Sequence, residues 1–150
     1  MAATGIPHRD LTYRVIGAAM RVHNRLGPGH KEAVYQAALA HELQEAGLLA
    51  EREHPIELYD RGRFLGLLYL DLLVEGRVVV EVKAVAHLLT REEVAQVITY
   101  LAATGLPVGL LLNFGRKRLE YRRILPPRKL EGWQERIGRY VWRPGRSVDG

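Results

Sequence analysis

Asp71, Glu81 and Lys83 are charged residues set inside two of the most apolar stretches of the chain, Leu68-Leu-Tyr-Leu-Asp71-Leu-Leu-Val74 and Val78-Val-Val-Glu81-Val-Lys83-Ala-Val85. Stretches this rich in Leu and Val read as buried strands, where a lone charge costs several kcal/mol. Glu81 and Lys83 are two residues apart, so on a strand they project from one face. If Glu75, Gly76 and Arg77 form a three-residue hairpin loop with Gly76 left-handed, Asp71 falls opposite Glu81 on that same face. A divalent cation turns the repulsion of two facing carboxylates into attraction. Magnesium suits the pair, because it takes one or two protein carboxylates and leaves its other positions to water and phosphate oxygens. Such an ion polarises a phosphodiester, while Lys83 holds the attacking water or offsets charge developing on phosphorus. The chemistry this points to is phosphodiester hydrolysis. The structural alternative is an ion pair between Glu81 and Lys83, or strand ends that reach water.

Composition marks these residues as out of place. Glu outnumbers Asp thirteen to four and Arg outnumbers Lys eighteen to four, so an Asp and a Lys in mid-strand both depart from the chain's habit. A length of 150 residues predicts one domain. The absence of cysteine excludes a disulfide framework and thiolate zinc sites, and the histidines lack the spacing of a zinc site. No apolar run reaches the roughly 18 residues of a membrane span, and Met1 to Asp10 lacks the order of a signal peptide. The expectation is a cytoplasmic protein without membrane contact. Of the net charge of +5, the excess lies from Phe114 onward, with eleven Lys/Arg against four Asp/Glu. Arg116, Lys117 and Arg118 open that segment, and Tyr121, Trp133, Tyr140 and Trp142 are interleaved with its other cations. This mixture suits a phosphate backbone and stacked bases, and equally a solvated terminal segment.

The elements that position these residues follow from periodicity. Val15, Ile16, Ala19, Val22 and Leu26 predict an amphipathic helix from about Asp10 to Leu26, ended by Gly27-Pro28-Gly29. A second helix is expected from about Lys31 to Ala46 through Val34, Ala37, Ala38 and Leu43. Pro55 to Tyr59, Arg63 to Val74 and Arg77 to Val85 read as three strands in hairpin succession. Apolar residues on both faces of the middle one predict that it is covered on both sides. Thr90-Arg-Glu-Glu93 is a capping box, which starts a third helix running to Thr104. Val108 to Phe114 reads as a buried strand and Arg118 to Leu125 as a more exposed one. The order α-α-β-β-β-α-β-β describes an α/β fold around one mixed sheet, with residues 126–150 as a basic aromatic extension on or flanking the domain that spans 1–125.

An Asp, a hairpin and then Glu-x-Lys, within this element order, resembles the PD-(D/E)XK nuclease superfamily. Gly29-His-Lys-Glu32-Ala-Val-Tyr35 is similar to the motif of the narrower GxxExxY group. The resemblance also runs through Ile16-Gly17-Ala18, Val22-His23, Leu26 to Gly29, Asp71 to Glu75, Glu81 to Val85, Gln96 with Tyr100-Leu101, and Thr104-Gly105 to Asn113-Phe114. It implies a restriction-endonuclease-like core and a nuclease that uses magnesium or manganese. Asp71, Glu81 and the Val82 carbonyl match metal ligands, Lys83 the catalytic lysine, Glu32 an acidic residue on an early helix, and Gln96 a polar residue on the later helix. Glu32 with Tyr35, and Gln96 with Tyr100, each share a helix face and are expected to point at one site.

Each residue has a plainer reading. Glu32 gains from the macrodipole of its own helix, Tyr35 packs its ring and bonds its hydroxyl, Gln96 satisfies backbone groups, and His23 is a satisfied core histidine. The nucleic-acid contacts expected are Lys31, Tyr35, Tyr100, Arg116, Lys117 and Arg118, with DNA as the partner. The competing functions are a catalytically silent nucleic-acid-binding module and an oligomeric regulatory or interaction protein on the same fold.

Overall fold

Residues 5–127 are described by a computed structural model. Their elements follow the predicted order: α1 (Arg9–Leu26), α2 (Glu32–Glu45), β1 (Ala50–Asp60), β2 (Arg63–Val74), β3 (Val78–Lys83), α3 (Arg91–Thr104), β4 (Gly109–Asn113) and β5 (Glu120–Ile124). The strands form one sheet in the order β1-β2-β3-β4-β5. β3 and β4 are parallel and every other pair is antiparallel, so the α3 crossover makes the sheet mixed. The extension proposed for residues 126–150 lies, from 128 on, outside the described residues.

Two apolar clusters sandwich the sheet. Val15, Ala19 and Val22 of α1 and Tyr35, Leu39 and Leu43 of α2 pack on Val78, Val80, Val82, Leu110 and Leu112. On the other face Val97 and Leu101 of α3 pack on Leu73, Val79 and Leu111. The α3 stripe forms where local signals agree. The Thr90 hydroxyl accepts the Glu93 N–H at 3.2 Å, the Glu93 carboxylate accepts the Thr90 N–H at 2.8 Å, and Gly105 closes the helix with φ 73°.

The predicted hairpin loop is present. Val74 pairs with Val78, leaving Glu75, Gly76 and Arg77 between them, and Gly76 has φ 63°. Glu75 is left-handed too, with φ 54°, and is tied to the start of β1: its N–H donates to Leu49 O at 2.8 Å and its carboxylate accepts the Leu49 N–H at 2.6 Å.

Three expectations are corrected. β1 begins at Ala50 rather than near Pro55. On α2, Val34 is exposed and the buried stripe is Tyr35, Gln36, Leu39, Ala40 and Leu43. The middle strand is buried over Leu72–Val74 and at Leu70, whereas Phe64, Leu65, Leu67 and Tyr69 are about half exposed. The reason is a bend. Leu72 and Val74 join the α1/α2 cluster, but Leu68 and Leu70, of the same parity, join the α3 cluster. On β1, Ala50 and Ile56 divide in the same way. Both strands therefore change sides between these residues, and Asp71 sits at the change.

Candidate metal centre

The β2–β3 ladder ends at Leu72 and Val80, and one step further in the same register brings Asp71 opposite Glu81. Here carboxylates take over from the backbone. Asp71 Oδ2 accepts the Val82 N–H at 2.8 Å, and the Glu81 carboxylate accepts the Asp71 backbone N–H. Glu81 Oε1 is buried with no partner, in a residue only 4 % exposed. A polar atom in that position is costly unless something charged meets it. Burial, reinforced by the like charge of Asp71, pushes Glu81 up to about 8. Asp71 is also raised, chiefly by burial and further by Glu53 and Glu32, with the Val82 N–H and Lys83 pulling the other way.

The Val82 carbonyl lies on the same side of β3. In a strand the N–H and C=O of one residue project to the same side, so the Val82 C=O faces β2 beyond the end of the ladder. The Lys83 carbonyl faces the other way and accepts the Phe114 N–H at 2.8 Å. The Lys83 ammonium donates to Gln96 Oε1 at 3.3 Å, and among the described residues it makes no ion pair. A Glu81–Lys83 ion pair is therefore not how these strands accommodate their charges.

Helices bring the remaining residues. Gln96 and Tyr100 lie one turn apart on α3. The Tyr100 hydroxyl is hydrogen-bonded to Gln96 and pushed up by burial and by the charges of Glu81 and Asp71, so both helix residues border the carboxylates. Glu32, the first residue of α2, is exposed and adds like charge to both Asp71 and Glu81.

The expected nucleic-acid contacts divide. Lys31 is exposed at the start of α2, and Lys117 and Arg118 are exposed on the turn after β4. Tyr35 is corrected from a nucleic-acid contact to the plainer reading of a core residue: it is fully buried, stacked on Phe114 at 4.7 Å, with its hydroxyl bonded to Gly27 O and the His30 N–H. The Tyr100 ring is packed among α3 neighbours, so it offers no stacking face and only its hydroxyl borders the site. Arg116 is a staple, its guanidinium donating to Ala86 O at 2.9 Å and its carbonyl meeting His23 Nε2 at 2.9 Å. His23 is the satisfied core histidine expected.

Sequence reasoning missed two residues here. Glu53 lies opposite Asp71, between the pairs Arg52–Leu72 and His54–Leu70, and Gln36 of α2 donates to its Oε2 at 2.8 Å. The available signal was spacing: Gln36 is four residues beyond Glu32 and so shares its helix face.

The residues present fit a hydrated divalent ion. Among the described residues no three His, Asp or Glu side chains converge tightly enough to cage an ion. An orphaned carboxylate oxygen, a second carboxylate and a carbonyl are the sparse set that leaves room for water and phosphate oxygens.

No helix of the described residues is long and apolar enough to cross a membrane. No curated protein and no solved structure matches the chain significantly. The family model for the PD-(D/E)XK nuclease superfamily, whose nucleases use divalent metals, matches residues 9–124. Its span runs from α1 through β5 and takes in the Asp71, Glu81 and Lys83 site; the chain belongs to the PD-(D/E)XK nuclease superfamily.

Proposed function

We propose that this protein is a magnesium- or manganese-dependent nuclease acting on DNA, within the narrower GxxExxY group. Asp71, Glu81 and the Val82 carbonyl hold the ion, with Glu32 beside them. The observation that carries the reading is the orphaned, buried Oε1 of Glu81, while Lys83 makes no ion pair with either carboxylate. When bound, the ion supplies Lewis-acid polarisation of the phosphate. Lys83, oriented by Gln96, places an ammonium where negative charge develops on phosphorus. Lys31, Lys117 and Arg118 supply cations for the phosphate backbone, and the aromatic extension beyond Pro127 adds to that grip.

Cleavage of DNA and RNA with magnesium, with manganese and with EDTA tests the reading. Wild-type protein is expected to cut DNA only with metal, and Lys83→Ala to lose about 10²–10³-fold. Equal cutting by wild type and by the Asp71→Ala/Lys83→Ala double variant would sink it. A silent nucleic-acid-binding module is the second reading, favoured by the exposed Lys117 and Arg118. It requires metal-independent DNA binding, undiminished by Asp71→Asn, without turnover.

A further inference from the structure

We infer that Glu53, on the edge strand β1, is a positioning residue of the metal site that holds water on the bound ion beside Asp71. The inference rests on the Asp71–Glu81 reading above and extends it to a residue that no motif assigns.

Four observations carry it. First, Glu53 falls between the pairs Arg52–Leu72 and His54–Leu70, on the stretch of β1 that faces Asp71, and Asp71 lies one residue past the last β2–β3 pair, Leu72–Val80, next to the stretch of β3 that carries Glu81. Second, Glu53 has φ 50°, a left-handed conformation that a Glu in mid-strand rarely adopts, and it falls at the position the β1–β2 pairing skips. Third, although Glu53 is exposed, one of its carboxylate oxygens is held by a buried partner. The Gln36 amide, buried to 7 % exposure, donates to Glu53 Oε2 at 2.8 Å and accepts from Arg52 Nε at 3.1 Å. Arg52 adjoins Glu53 in sequence but directs its guanidinium to Gln36, and among the described residues Glu53 makes no ion pair. Fourth, the unpartnered Glu81 Oε1 lies buried in the same cluster, in a carboxylate that feels both Asp71 and Glu32. A carboxylate bonded to a buried amide beside Asp71 adds like charge to it in the metal-free protein, and a cation reverses the sign. Because no three carboxylates converge directly, Glu53 acts through water that a hydrated magnesium or manganese retains.

Manganese titration by calorimetry on the full chain, together with thermal melts without metal, tests this. Wild type is expected to bind manganese and Asp71→Asn to lose it. Glu53→Gln keeps an oxygen for the Gln36 amide but removes the charge. It is expected to bind about tenfold more weakly, with a metal-free Tm equal to or above wild type. Wild-type affinity in Glu53→Gln overturns the inference and leaves the site standing, more so if the metal-free Tm falls, which marks a merely structural residue. Absence of binding in wild type, or equal binding in Asp71→Asn, overturns the site and the inference with it. If Glu53→Gln loses both Tm and affinity, Glu53→Asp decides: recovered affinity upholds the inference, and continued loss overturns it.

Discussion

A carboxyl pushed up to about 8 keeps its proton at neutral pH, so Glu81 in the metal-free protein is held mainly neutral by burial and by Asp71. The ordinary value is 4.5, so the folded chain binds more protons than the unfolded chain between about 4.5 and about 8. Stability contributed by that proton is complete below about 4.5 and is lost as pH rises through about 8. Asp71, raised for the same reason, adds to the slope. Metal-free wild type should therefore lose Tm relative to Glu81→Gln as pH rises across this window. Metal binding needs the ionised form and expels the proton, so manganese affinity should rise over the same range. Parallel Tm profiles for wild type and Glu81→Gln would show that burial does not shift Glu81. The cluster of Asp71, Glu81 and Lys83 was legible from sequence because charge stands out in an apolar strand. Glu53 was not, because Glu51-Arg52-Glu53-His54 is polar throughout and its significance lies in the register with β2.

Elements with local signals were legible nearly to the residue. The capping box and Gly105 bound α3, and the continuous apolar runs mark β3 and β4. The first half of β1 was not, since an exposed edge strand has no alternation to read. The change of sides at Asp71 was also hidden, because carboxylate bonds replace ladder bonds there and leave no period in the sequence. One tertiary clasp sets the end of the sheet that carries Lys83. Asn113, fully buried, accepts the N–H groups of Val85 and Gly115 at 3.0 Å and donates to His87 O and Glu120 Oε1 at 3.2 Å. Gly115 makes this possible: a Cβ there would lie 2.4 Å from Val85 N, 2.5 Å from Ala84 C and 2.6 Å from Val85 O. Backbone cannot yield as a side chain can. Gly115→Ala should cost roughly 3 kcal/mol or more by forcing the strands apart. Gly109→Ala, whose nearest obstacle at 2.7 Å is the Val97 side chain, should cost less. Denaturant melts giving equal or reversed losses would show that the loop after Lys83 is not clasped in this way.

Over the whole molecule, charge is divided by position. The residues up to Asn113 are net negative, and the excess of Lys and Arg begins at the turn after β4. That turn abuts the site end of the sheet, because Phe114 bonds the Lys83 carbonyl and Gly115 lies against Ala84 and Val85. A cluster of carboxylates bordered by cations suits a bound metal flanked by a phosphate backbone. The three basic residues of the turn should separate by experiment. Lys117 and Arg118 are exposed, so the Lys117→Ala/Arg118→Ala double variant should weaken the proposed DNA binding across sequences. It should also reduce the slope of log affinity against log salt by about 1.8, at about 0.9 per duplex phosphate contact. Its Tm should match wild type. Arg116→Ala removes the bond to Ala86 O, so it should lower stability by about 1 kcal/mol and leave the salt slope closer to that of wild type. An unchanged slope in the double variant would move the proposed nucleic-acid surface away from this turn.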